Sequence, residues 1–599
     1  MRRLGMSQCV IAGGFVFGLL ATMGACADDR PAFGNRKTEF NPGNDAAVVE
    51  TPDCQLQCSV DGRSVIETCT GAIVQECAAE LACGAGTCMT PCAAAEADRS
   101  SNGCEFYFQS PQMARSTPAS CYAAYIVNTS LQPVDLSVEL EGKSLDVSKA
   151  LFRTAPGSAD LIPHTGSIEP GESAIVFLSE FTPQQALPVD WKQNYIGCPA
   201  GVVPASYVNR IRRGTDMGNS FRLKTNVPVS VATIFPFGGA ESYIPSATLV
   251  LPVASWAKEH ILVNGWEASE AGRPSAQIVA SEDDTEVTII PKHDIQDGEG
   301  VTGGRAGHPA TYRLGKGQHL QIVQQKELTG SIVTSTKPTT IFGGNSCAFV
   351  PALALACDTL SQQIPAFEQW GAEYVAVGYR PRLGNEHEPL PYRIVAARDG
   401  TMLDYDPAIP AGAPTILNAG EMAVFQAGSG DAFVVRTQDT EHPIYMSAHM
   451  TGGAGDTRTT KAYGNWGDPE FVNVIPARQY MSSYSFYADP TYRETSLVIV
   501  RAKTRGEFKD VWLECTGNLT GWRTIGTGSE YEFVRVDISR NGGPGDSVGA
   551  SICQYGLQRM RSDGPFTATL WGWDKFASYA YPGGMAQRKL VQKPLDPVN

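Results

Sequence analysis

Phe221-Arg-Leu-Lys-Thr-Asn-Val-Pro228-Val-Ser-Val231 and Ile332-Val-Thr-Ser-Thr-Lys-Pro338-Thr-Thr-Ile-Phe342 are one phrase written twice. It returns as Phe433-Val-Val-Arg-Thr-Gln438, closing on His442-Pro443-Ile-Tyr-Met446, and as Met560-Arg-Ser-Asp-Gly-Pro565-Phe-Thr-Ala-Thr-Leu570. Each copy alternates apolar and polar residues, passes through a polar stretch to a proline, and alternates again. Read locally, this is a β-hairpin whose proline opens the return strand, where no ladder donor is needed. A phrase recurring at a regular interval marks a repeat architecture. It favours a binding surface over a single catalytic pocket.

Three further phrases recur in fixed order around it. One joins an apolar residue and proline to a bulky ring: Leu251-Pro252 with Trp256, Ile364-Pro365 with Trp370, and Ile475-Pro476 with Tyr480. Another pairs two alternating runs across an acidic turn: Ile278 to Ile289, Ile394 to Tyr405, and a degenerate Leu497-Val-Ile-Val-Arg-Ala502. The last is a glycine turn: Leu314-Gly-Lys-Gly317-Gln318, Leu417-Asn-Ala-Gly420-Glu421 and Ile525-Gly-Thr-Gly528-Ser529. A divergent copy precedes them, with Tyr125-Ile-Val-Asn128, Leu136-Ser-Val-Glu-Leu140 and Ile168-Glu-Pro-Gly171-Glu172. Four units follow, at about 105–240, 241–350, 351–455 and 456–590, with a tail at 591–599. The expected fold is all-β: four tandem immunoglobulin-like sandwiches of roughly 110 residues each. The alternative splits each unit into two blades of a seven- or eight-bladed propeller.

The composition agrees. The 599 residues include 61 glycines and 39 prolines, only 18% are charged, and 42% are hydrophobic, a turn-rich globular balance. The net charge of −15 is spread along the chain and disfavours phosphate backbones, so no nucleic-acid partner is expected.

The N-terminus reads as an export signal over residues 1–25. Arg2 and Arg3 precede a short apolar run from Val10 to Leu20, and Met23-Gly24-Ala25-Cys26 resembles a bacterial lipobox. Cys26 is the expected lipidation site. Ala27 behind it is not aspartate, which by the usual sorting rule directs the protein to the outer membrane, facing the cell surface or the periplasm. Residues 26–50 are polar and aperiodic, a tether. Residues 51–104 hold Cys54, Cys58, Cys69, Cys77, Cys83, Cys88, Cys92 and Cys104, too dense for an apolar core, so disulfides are expected to staple this segment. The spacing of Cys83, Cys88 and Cys92 also suits zinc, the lesser reading in an exported chain. In the body, Cys347 with Cys357, Cys515 with Cys553, and Cys121 with Cys198 are candidate pairs.

The run from Gly330 to Pro338 with Asn345-Ser-Cys347, Cys357-Asp358, Gln363-Ile-Pro365 and Trp370-Gly-Ala-Glu-Tyr374 resembles the IgGFc-binding protein N-terminal domain family. Ser562-Asp-Gly-Pro565-Phe566 with Ser578-Tyr-Ala-Tyr-Pro582-Gly583-Gly584 resembles it too. The resemblance covers roughly residues 220–585. The cysteine-rich lead and Ser101-Asn-Gly-Cys104-Glu-Phe106 are similar to large lipoproteins of myxobacteria. The family implies an extracellular, adhesive or scaffolding domain, and no motif here carries Fc binding across.

Two common enzyme signatures are missing from the sequence: no His-Glu-x-x-His and no phosphate loop. Of eight histidines only His442 and His449 are near neighbours, and satisfied histidines explain them. Asp294 to Gly300 and Glu282-Asp283-Asp284 offer oxygen ligands without EF-hand spacing, so turns explain them better than calcium. Trp571-Gly-Trp573 with Tyr579 and Tyr581 suits a sugar platform or, better, a sheet core. No catalytic residue, metal or cofactor is expected. The sequence reads as a surface lipoprotein acting in adhesion or in binding a protein or glycan. An envelope scaffold without a ligand is the first alternative, and a carbohydrate-active or peptidase lipoprotein the second.

Overall fold

The recurring phrase is one strand and not a hairpin. In a computed structural model of the chain, Phe221–Phe235, Ile332–Ala348 and Gly556–Asp574 each run unbroken through the proline. Only the third copy is divided, into Phe433–Thr437 and Ile444–Met450. The structure describes residues 55–595 apart from 60–61, 69, 113–118, 188–194, 210–213, 353–355, 455–462 and 550. The expected leader, the tether, the lipidation site Cys26, and Cys54 and Cys69 lie outside the described residues.

Each long strand changes partners at its proline. Up to Ser335, Ile332–Ala348 pairs with Ala257–Ile261 and Thr285–Ile290; from Thr339, where Ala257 keeps one last pair, it pairs with Pro274–Ala280 and Asp358–Ile364. Pro338 falls in the gap between the two ladders, as Pro228 and Pro565 do in their strands. A missing N–H costs nothing there. The acidic-turn phrase is not a hairpin either: Pro274–Ala280 and Thr285–Ile290 lie in different sheets, on either half of the long strand. Local alternation cannot tell a hairpin from an arch between sheets, because both put every second residue on one face.

Each unit is thereby a sandwich whose two sheets share the long strand. In the third, the inner sheet runs Glu470–Asn473, Ile444–Met450, Pro389–Ala396, Met422–Gly428; the outer runs Glu373–Ala376, Phe433–Thr437, Thr401–Asp406, Ile416–Leu417. The all-β sandwich reading holds, and the chain does not build a propeller of seven or eight blades.

The true hairpins join each long strand to a return strand: Ser246–Val250, Asp358–Ile364, Glu470–Asn473 and Ala577–Pro582. The residues expected to open the second, third and fourth units therefore complete the sheet of the sandwich before. The proline phrase is the joint that follows, a 3-10 turn at Val253–Ser255, Phe367–Gln369 and Ala477–Gln479. Its bulky ring locks the turn: Trp256 Nε1 donates to Leu251 O at 3.2 Å and Trp370 Nε1 to Pro365 O at 3.0 Å.

The four return strands are buried and pack on one another in a cycle, the first also against the last. Edge strands leave backbone groups unpaired, and here neighbouring side chains take them. Ser361 N donates to Ser246 Oγ, Gln363 N to Thr248 Oγ1 and Leu251 N to Gln363 Oε1. Inner sheets are covered on both faces, so Tyr122–Asn128 and Pro274–Ala280 are buried throughout, while outer strands such as Thr285–Ile290 alternate. Neighbouring sandwiches are tied by Gln109 to Gln277, by Arg393 to Glu327 and the carbonyls of Asn264 and Gly265, by Arg380 to Asp537, and by Tyr125 to Asp489.

The two ends of the repeat region meet. Ser101 N donates to Met585 O at 2.8 Å, and Gln587 N to Arg99 O. Of the segment expected to be a tail, Val591 and Leu595 are buried against Ile261, Phe367 and Trp370. The cysteine-rich segment is a small sheet, a hairpin and the helix Pro91–Asp98, stapled by Cys58–Cys83, Cys77–Cys88 and Cys92–Cys104. The three cysteines with zinc-like spacing thus enter three different disulfides. Cys121–Cys198, Cys347–Cys357 and Cys515–Cys553 are also joined.

Candidate binding cleft

Opposite its return strand, each inner sheet ends on a strand that needs cover. Ser173–Phe181 is covered by Leu151–Thr154 and Ser206–Val208. Gln318–Val323 is covered by Asp216–Asn219, lent by the first sandwich, and Tyr531–Arg540 by Arg523–Ile525. In the third sandwich Met422–Gly428 pairs only with Pro389–Ala396 among the described residues.

A cleft of about 760 Å³ opens beside this edge, walled by Pro407–Gly412 and floored by Phe425 and Phe433. The wall comes from Asp406-Pro-Ala-Ile-Pro-Ala-Gly-Ala-Pro414, whose prolines fix φ and present few donors. Asp406 anchors it: its carboxylate accepts Thr527 N at 2.8 Å, and although burial opposes its charge, bonds from Thr527 and Gly528 hold its pKa below the usual aspartate range. The floor is rigid. Tyr392, Tyr405, Phe425 and Phe433 form one aromatic cluster with ring centroids 5.3–6.3 Å apart. On the rim stand two half-exposed apolar side chains, Ile409 at 50% and Val424 at 45%. An open apolar concavity on a fixed frame is what a ligand site requires.

Two other pockets are polar. The one between the first two sandwiches is lined by Gln109, Gln277 and Gln321, whose amides bond one another at 2.9 Å and act as structural glue. The other, between the first and fourth, is lined by Glu172, Glu514 and Arg559, and Arg559 is already engaged by Glu514 at 2.9 Å.

The residues weighed for chemistry in the sequence do not gather. His449 is buried, stacked on Phe471, its Nε2 at 3.1 Å from Gly265 O, and burial pushes its pKa down to about 3. His442 sits on Asp439 at the surface. Trp571, Trp573, Tyr579 and Tyr581 are core, with Trp571 packed on Tyr379, so they form no exposed platform. Asp294 and Asp297 accept Ala306 N and Gly303 N, and Asp283 accepts Lys316 N in the glycine turn, so these carboxylates are engaged in holding loops together. No group of three or more His, Cys, Asp or Glu among the described residues is placed to hold a metal ion.

Sequence reading missed the cleft. Its signal, the proline–alanine stretch at 407–414, has no counterpart in the other units. It therefore fell outside a repeat-based reading.

Comparison with known proteins fits this architecture. The family model described as IgGFc binding protein matches residues 246–572, over half of the chain, beginning at the first return strand and ending within the last long strand. The human protein named IgGFc-binding protein is 25% identical over 227 residues, which is 36% of this chain and 4% of that protein. The chain thus aligns with only a small part of that much longer relative. It belongs to the IgGFc-binding protein family.

Proposed function

We propose that this protein is an adhesive, surface-facing outer-membrane lipoprotein, anchored through Cys26, that holds an extracellular protein in the cleft of the third sandwich. The observation that carries this is the open apolar cleft on an otherwise interlocked frame. Among the described residues, the return strands, the joints and the two ends of the repeat region are closed on one another. The binding for which the family is named supports a protein partner, and the sequence motifs upstream support export and a lipid anchor.

The test uses the Cys26→Ser chain, expected to leave the membrane. Continued membrane retention of that variant removes lipid as the tether. The released chain is immobilised and exposed to envelope and extracellular matrix fractions, beside a second version carrying Ile409→Asp. Retained protein is expected on the first and at least tenfold less on the second. Equal retention on both places the binding surface elsewhere.

A further inference from the structure

We propose that the partner enters the cleft as an added β-strand, pairing backbone to backbone with Met422–Gly428. This rests on the reading of the cleft as the binding site, and it names how that site recognises its ligand.

The sister sandwiches supply the argument. The same edge exists four times, and in the other three it is finished by one or two short strands. In the second sandwich that strand is lent by a neighbour, so strand donation between bodies is already how this molecule joins its parts. The third edge is built alike and carries no such strand among the described residues.

The ladder shows which groups are free. Met422–Gly428 runs antiparallel to Pro389–Ala396 with Phe425 opposite Tyr392 and Gln426 opposite Pro391. Pro389 and Pro391 have no N–H, so the bonded pairs of this ladder are those of Leu390, Tyr392 and Ile394. Ala396 N, in the same phase, donates to Glu421 O at 3.1 Å. The N–H and C=O groups of Val424 and Gln426 therefore point outward, away from the sheet.

An incoming strand would take those four groups. Every second side chain would then fall on the Phe425 side, into the cleft between Ile409 and Phe433. The alternate side chains would lie beside Val424, toward water. The ligand class is an extended segment of another protein with apolar residues at alternate positions, the recognition mode in which backbone bonds give affinity and pockets give specificity.

The probes are acetylated octapeptides in which lysine alternates with valine, isoleucine or phenylalanine. Matched versions carry N-methyl groups on one backbone edge. Binding to the Cys26→Ser chain is followed by fluorescence anisotropy, and amide hydrogen exchange is read at Val424 and Gln426. The expected result is binding by at least one probe, with exchange at both amides slowed at least tenfold. Affinity should drop at least tenfold on N-methylation. Gln426→Pro should cause a similar drop while leaving the melting temperature unchanged, because its outward N–H serves no internal bond.

If Ile409→Asp abolishes binding but Gln426→Pro and N-methylation do not, the cleft is the site and strand addition is wrong. If none of these changes matters, or no probe binds, strand addition at this edge is overturned. Concentration-dependent dimers that disappear with Gln426→Pro would assign the edge to a second copy of this chain and overturn the foreign partner.

Discussion

Asp358, Asp468 and Glu470 are the residues least expected where they are. All three lie on or beside return strands at the meeting of the sandwiches, without exposed surface. Both carboxylate oxygens of Asp358 and of Asp468, Glu470 Oε2 and the nearby Tyr492 hydroxyl lack hydrogen-bond partners. Burial raises all three carboxyl pKa values; Asp468 is pushed up to about 8, and the charges of Asp468 and Glu470 add to the rise at Asp358. An unfolded aspartate loses its proton near pH 4, whereas folded Asp468 keeps its proton to about pH 8. Between those values the native chain binds more protons than the unfolded one, so stability is greatest at the acid end and falls as pH rises. Melting temperatures are expected to decline from pH 5 to pH 8. Asp468→Asn should flatten that decline and stabilise the protein at pH 8 by about 2 kcal/mol. A wild-type profile that is flat over this range would refute the account. The sequence could not show this cluster, because the three residues meet only when separate units close on each other.

At the scale of the element, the long strand carries the architecture, and two kinds of residue in it behave oppositely. Pro338 sits between ladders, so Pro338→Ala is expected to shift stability by less than about 1 kcal/mol. Gly343 lies where the strand crosses its neighbours. A Cβ there would stand 1.8 Å from Val263 O, and one at Gly344 would stand 2.0 Å from Leu360 O. Gly343→Ala should cost about 3 kcal/mol or more, because the obstruction is backbone and cannot rotate away. Urea midpoints of the two variants check both expectations, and equal effects would contradict the division. That residues 332–342 and their copies form strand was legible in their alternation. Their pairing was not: the same alternation serves a hairpin and a strand shared by two sheets. Only the partners Ala257–Ile261 and Pro274–Ala280, distant in sequence, decide between them.

At the scale of the whole molecule, the sandwiches are expected to unfold as one body. Their joints interlock: Gln369 Nε2 donates to Ser255 O at 2.7 Å, Gln479 Nε2 to Gln369 O at 3.1 Å, and Arg588 N to Gln479 Oε1 at 3.0 Å. The bond from Gln587 N to Arg99 O and the contact of Met585 with Ser101 tie the last described segment to the one that opens the repeat region. Removing residues 585–599 should lower the melting temperature by about 2 °C, the shift that losing about 2 kcal/mol gives a single body of this size. It should also expose the segment around Arg99 to protease. A truncated chain that melts and resists proteolysis like the full one would show that the closure is incidental.

The sequence by itself determined the all-β class, the fourfold repeat and the family. Each of these is written in local alternation, in proline and glycine positions, and in the order of short phrases. The tertiary structure alone decided that the phrases are shared strands, that return strands belong to the sandwich before them, and that acids far apart in sequence meet in the interior. It alone decided that, among the described residues, one edge of four has no covering strand. Those facts depend on which segment lies beside which, and a strand's own residues specify its faces but not its neighbours.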